Sequence, residues 1–134
     1  MGNKSLLHRQ IHPSFVVNDI VSNQAFIAEK PTISSGAFSP TEKDADKLSV
    51  YSSEVFSAKD SFDHFTAKYS SYGVLSVSID EVDSESPLFV ENDNIPFEGH
   101  CSINFSSISS KNQKSKKAGK LRDFAVSRNW TYKP

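Results

Sequence analysis

The stretch LLHRQIHPSF, residues 6–15, places His8, Arg9 and His12 within five positions. Two imidazoles four residues apart suit a metal ion when both lie on one helix face. Pro13 and the β-branched residues after it favour a strand here instead. On a strand the two histidines stand about 13 Å apart, at roughly 3.3 Å per residue, so no shared metal is expected. Alternation then puts His8, Gln10 and His12 on one face and Leu7, Arg9 and Ile11 on the other. His8, Arg9 and His12 are the first candidates for chemistry.

The second place to look is His100–Cys101, the one cysteine with an imidazole beside it. Neighbouring strand residues face opposite sides, so the pair cannot act as nucleophile and base. Cys101 reads as a small core residue, and one cysteine permits no internal disulfide. No Gly-rich phosphate loop, G-x-S-x-G elbow or H-E-x-x-H motif occurs.

Charge is unevenly distributed. Ser107–Pro134 carries eight Lys or Arg against one acid, a net of +7, while the rest of the chain sums to −8. Asp80–Glu98 alone holds seven acids and no Lys or Arg. Lys111, Lys114, Lys116, Lys117, Lys120 and Arg122 form a basic surface that could meet phosphates, with steep salt dependence. No aromatic side chain interleaves them on the polar face, so base stacking has no support. Attraction between the two oppositely charged parts accounts for the pattern equally well.

These residues need elements to hold them. The 134 residues and ten Phe suffice for one domain, 1–134, with an aromatic core. SLLHRQIH, residues 5–12, and SFVVNDIV, residues 14–21, read as strand, with Asn18–Asp19 as a tight turn. Residues 29–44 read as loop with a short strand near Ala37–Phe38. KLSVYSS is a strand. Ser57 caps a first helix whose Phe62, Phe65 and Tyr69 share a face. VLSVSID and HCSINF alternate as half-buried strands. The acidic segment between them lacks a clean period and reads as loop. A second helix spans Ser110 to Arg128 on a stripe of Ala118, Leu121, Phe124 and Ala125. WTYKP is a last short strand or docked tail. The expected fold class is α+β: an antiparallel or mixed sheet of about five strands, with two helices packed on one face. No run approaches the roughly 20 apolar residues that cross a bilayer, and the N-terminus lacks an apolar signal core. A cytoplasmic protein with no membrane association is expected.

LLHRQIHPSFV, SGAFSPTEKDADKLSVY, SYGVLSVSIDEV and LRDFAVSRNWTY together resemble a family of short, uncharacterised bacterial proteins. The shared pattern is His-Pro-Ser-Phe, then Ala-Phe-x-Pro-Thr with Lys-Asp, then Leu-Ser-Val. His12, Ser14, Phe38, Pro40, Lys43, Asp44 and Ser49 match it, and Ser22–Thr32 looks like an insertion. The resemblance implies a bacterial, cytoplasmic protein and places a binding site at His12, Ser14, Lys43, Asp44 and Ser49.

Two functions from different classes follow. The absence of catalytic motifs and the polarised charge favour a non-catalytic module that binds another protein, as an accessory, immunity or antitoxin-like component. Such a module needs no cofactor. The alternative resembles a small ADP-ribosyltransferase using NAD. That resemblance makes His8 or Arg9 the basic residue of the first strand and Ser35 part of a Ser-led second strand, SSGAF. Glu98 is then the late acid, orienting a ribose hydroxyl while Arg9 holds the pyrophosphate. No Glu-x-Glu or Gln-x-Glu pair lies in that late region. Nucleic-acid binding by the basic helix is a further alternative.

Overall fold

The computed structural model describes residues 5–18, 32–40 and 46–134. Five strands form one antiparallel sheet in the order β5-β1-β4-β7-β6. They are β1 (Leu6–Ile11), β4 (Lys47–Ser52), β5 (Gly73–Ser78), β6 (Phe89–Glu91) and β7 (His100–Asn104). A short pair, β2 (Val16–Asn18) with β3 (Thr32–Ile33), stands beside it. Three α-helices complete the fold: α1 (Ala58–Thr66), α2 (Ile79–Ser84) and α3 (Lys111–Arg128). The expected α+β class and sheet are present.

Alternation along β1 sends Leu7 and Ile11 into a core with Leu48, Val50, Leu75, Val77, Cys101, Ile103 and Phe105. Helix α3 closes this face. Ala118, Leu121 and Ala125 are fully buried, and the two alanines let the helix approach closely. Phe38 fills the space between α3 and the sheet. It sits on a 3-10 helix, Ser35–Phe38, where the sequence suggested a strand. Ser34 accepts the Gly36 amide there and stabilises the turn before an extended strand can form.

The opposite face carries His8, Gln10, Tyr51, Ser76 and His100. Helix α1 covers part of it. Ser57 caps α1 by accepting the Asp60 amide, as its sequence implies. Ser61 on α1 accepts a hydrogen bond from Gln10 at 2.9 Å. Thus α1 and α3 lie on opposite faces of the sheet. A single covered face would leave Gln10 and Ser76 in water, whereas both are buried. The tail completes the cover: Val74 and Tyr132 exchange backbone hydrogen bonds, and Trp130 packs over Gly73. The tail thereby shields the β5 edge of the sheet.

The acidic segment is not all loop. Ser78 and Glu81 form a reciprocal capping box that starts α2. Glu81 and Glu85 then meet Arg128 at 2.8 Å and Lys117 at 3.3 Å. The charge asymmetry is thus partly consumed inside the fold, acidic α2 against basic α3. The Asn18–Asp19 turn lies outside the described residues. No helix among the described residues is long and apolar enough to cross a membrane.

Candidate functional site

Strand register aligns four polar side chains in one row. His8 stands opposite Ser76 on one side and Tyr51 on the other, and Tyr51 stands opposite His100. His8 and Ser76 bond each other within the row, and Ser76, Tyr51 and His100 each find a partner outside it. His8 Nδ1 bonds Ser76 Oγ at 2.8 Å, and Ser76 bonds Thr131. The Tyr51 hydroxyl bonds His64 Nδ1 at 2.9 Å. His100 Nδ1 bonds Asp93 at 2.7 Å, and Ser102 donates to the other oxygen of the same carboxylate. No hydrogen bond joins His8 to Tyr51 or Tyr51 to His100, so the row is not a proton relay. It is a set of braces between the sheet, α1, the tail and the 92–99 segment.

These braces hold open a cleft. Strands β1 and β4 pair only at Leu7–Ser52 and His8–Tyr51, then separate. The Arg9 guanidinium spans the opening. Its Nε donates to the Ala37 carbonyl at 2.9 Å and its Nη1 to the Ser49 carbonyl at 3.0 Å. Above that floor lies a cavity of about 600 Å³, within the usual range for ligand sites. Helix α1 and the residues after it give one wall, with His64, Phe65, Lys68 and Tyr69. Pro96, Phe97 and His100 give the other. Aromatic contacts stiffen the second wall: the Phe97 ring lies 4.4 Å from that of His64 and 5.2 Å from that of Tyr51. Asn94 locks the same segment, accepting the Gly99 amide and donating its own to the His100 carbonyl. Gly99 is required there, because its φ of 95° and the crowding by Val55 and Phe56 leave no room for a Cβ.

Protonation follows burial. Burial pushes the Tyr51 hydroxyl up to about 12 and the Cys101 thiol up to about 11. Neither ionises near neutrality, and Cys101 lies on the α3 side of the sheet, away from the cleft. Desolvation raises the Asp93 carboxyl, but hydrogen bonds from His100 and Ser102 outweigh it and hold the group below its usual range. Burial pulls the His8 pKa below 6.5, opposed in part by the Phe56 backbone. Its Nε2 has no hydrogen-bond partner among the described residues.

A pH dependence of stability follows. The unfolded chain binds a proton at His8 more readily than the folded one. The His8 contribution is therefore complete above pH 6.5 and is lost as pH falls below it toward the lower folded pKa. Urea unfolding at pH 7, 6 and 5 is expected to show falling stability, with a shallower fall for His8→Gln. An equal slope in that variant contradicts the assignment. Asp93 acts in a separate, more acidic window, with stability lost as pH drops through 3.8 and below.

The remaining residues singled out by sequence are scattered. His12 caps the 3-10 helix Pro13–Phe15, accepting the Ser14 amide at 3.1 Å and bonding the Ser14 hydroxyl. Strand β1 ends at Ile11, so His12 does not share the His8 face. Ser49 lies in the cleft and contributes its carbonyl to Arg9. Lys43 and Asp44 lie outside the described residues. Arg9 lines the cleft, while Ser35 and Glu98 do not line it. Ser35 belongs to the 3-10 helix that packs on the α3 side, and Glu98 is exposed. On α3, Lys114 pairs with Asp46 at 3.1 Å and Lys117 with Glu85, while Arg122 pairs with its neighbour Asp123. Lys116 and Lys120 are exposed. Sequence reasoning did not find Tyr51, His64, Lys68, Tyr69 or Phe97 as site residues. Only the antiparallel register of β4 and β7, with α1 above them, brings these together. No protein-family model, curated protein or solved structure matches this chain.

Proposed function

We propose that this chain is a non-catalytic protein-binding module, and that its partner docks at the cleft between α1 and Pro96–His100. The bacterial cytoplasm is its proposed setting, as an accessory, immunity or antitoxin-like component. The observation that carries the reading is the exposed apolar rim. Tyr69 is 64% exposed on one wall, and Ile95 is 72% exposed beside Pro96 on the other. Large apolar side chains left in water around an aromatic cavity are typical of docking surfaces. The polar groups inside support the same reading. Tyr51, His64 and His100 are engaged in bracing hydrogen bonds, and the two serine–histidine pairs among the described residues, His8–Ser76 and His12–Ser14, do not line the cleft.

Photo-crosslinking tests it. A benzophenone side chain in place of Tyr69, introduced in the native host, is expected to give one discrete protein adduct. The same group at exposed Lys116 is expected to give none. An adduct at Lys116 and none at Tyr69 transfers the function to α3 and overturns the proposal. Release of nicotinamide from NAD by the purified chain overturns it in favour of the enzyme.

A further inference from the structure

The lining of the cleft is uneven in charge. Among the described residues its lining includes Arg9 on the floor and Lys68 at the mouth, and no Asp or Glu. This stands out in a chain whose net charge is −1. Of the four carboxylates on the flanking elements, exposed Asp60 and Glu98 do not line the cleft and the other two are engaged. Asp63 meets Lys59 at 2.8 Å, and Asp93 receives His100 and Ser102. Lys68 follows the end of α1, is exposed, and stands next to Tyr69. A cation at the mouth of an aromatic-lined cavity attracts an approaching anion and disfavours a cation. The walls themselves present aromatic edges and faces from Phe65, Tyr69 and Phe97, which pair best with another ring.

We propose that the occupant of this cleft is an acidic segment of a partner protein that inserts an aromatic side chain. The proposal rests on the protein-binding reading and adds the chemistry of the partner. The inserted ring packs between the α1 wall and Phe97. Carboxylates flanking it in the partner's sequence lie over Lys68 and toward Arg9.

Calorimetric titration of the full chain with short capped peptides tests this. Asp-Asp-Phe-Asp-Asp is expected to bind at least about tenfold more tightly than Lys-Lys-Phe-Lys-Lys, and about tenfold more tightly than Asp-Asp-Ala-Asp-Asp. Added salt is expected to weaken it. Lys68→Glu, an exposed substitution that leaves the core intact, is expected to narrow or reverse the acidic preference. Equal binding of the two charged peptides, preference for the lysine peptide, or no binding by either overturns the proposal. So does phenylpropionate binding as tightly as the acidic peptide, since the occupant is then a small acid. A protein adduct at position 69 combined with failure of the acidic peptide leaves the module standing and removes only its partner's chemistry.

Discussion

Arg9→Ala is expected to destabilise the folded chain by about 2–4 kcal/mol, less than the roughly 3–6 kcal/mol of two buried charge-assisted hydrogen bonds because the bond to the Ser49 carbonyl is exposed. The reason lies in the parting of β1 from β4. Beyond His8 and Tyr51 the two strands no longer pair, and the guanidinium takes the place of the missing ladder at Ser49. The same group reaches Ala37 on the 3-10 helix, so it ties the α3 side of the fold to the floor of the cleft. Removing it leaves both carbonyls short of a donor. Arg9→Lys is expected to recover less than half, because a single ammonium cannot span two carbonyls as a planar fork does. Urea unfolding measures both variants. A loss below about 0.5 kcal/mol for Arg9→Ala, the size of an ordinary surface change, contradicts this role.

Tyr51 carries the second large effect. Its ring is buried among Phe56, His64 and Phe97, with centroids 4.9, 5.6 and 5.2 Å away. Tyr51→Ala is expected to cost about 3–5 kcal/mol, as aromatic-to-alanine changes in cores do. The same change is expected to collapse the Phe97 wall and to abolish the proposed binding of the acidic peptide. Tyr51→Phe keeps the ring and loses the bond to His64, for about 1 kcal/mol. Thermal unfolding of the two variants separates packing from hydrogen bonding. Equal losses in both contradict the packing role.

Local signals carried much of the fold. The Ser57 cap, the apolar stripe of α3 and the alternation of β7 each depend on residues close in sequence, and those elements stand where expected; α1 ends at Thr66, short of Tyr69, and β5 ends at Ser78 with both faces buried, Ile79 starting α2 instead. Helix α2 had its own signal, Ser78-x-x-Glu81, masked by the charges around it. Phe38 took a 3-10 helix because the Ser34 cap outweighed its strand preference. The placement of helices on both faces was not local information. It depends on α1 covering Gln10 and on the tail pairing with Val74, contacts spanning dozens of residues.

The site was less legible for the same reason. Arg9 was found by residue type, but its partners come from residues 28 and 40 positions away. Tyr51, His64 and Phe97 are unremarkable in sequence. They become a cavity only when β4, α1 and the 92–99 segment converge. His12 and Ser14 look chemical in sequence because a polar cap uses the same residue types as a reactive centre.

The central claim is that the cleft, and not the basic helix, is the recognition surface. Hydrogen exchange of the full chain with and without saturating Asp-Asp-Phe-Asp-Asp measures this most directly. Slowed exchange at residues 62–70 and 94–101, with α3 unchanged, is the predicted footprint. Protection confined to residues 111–128 contradicts the account.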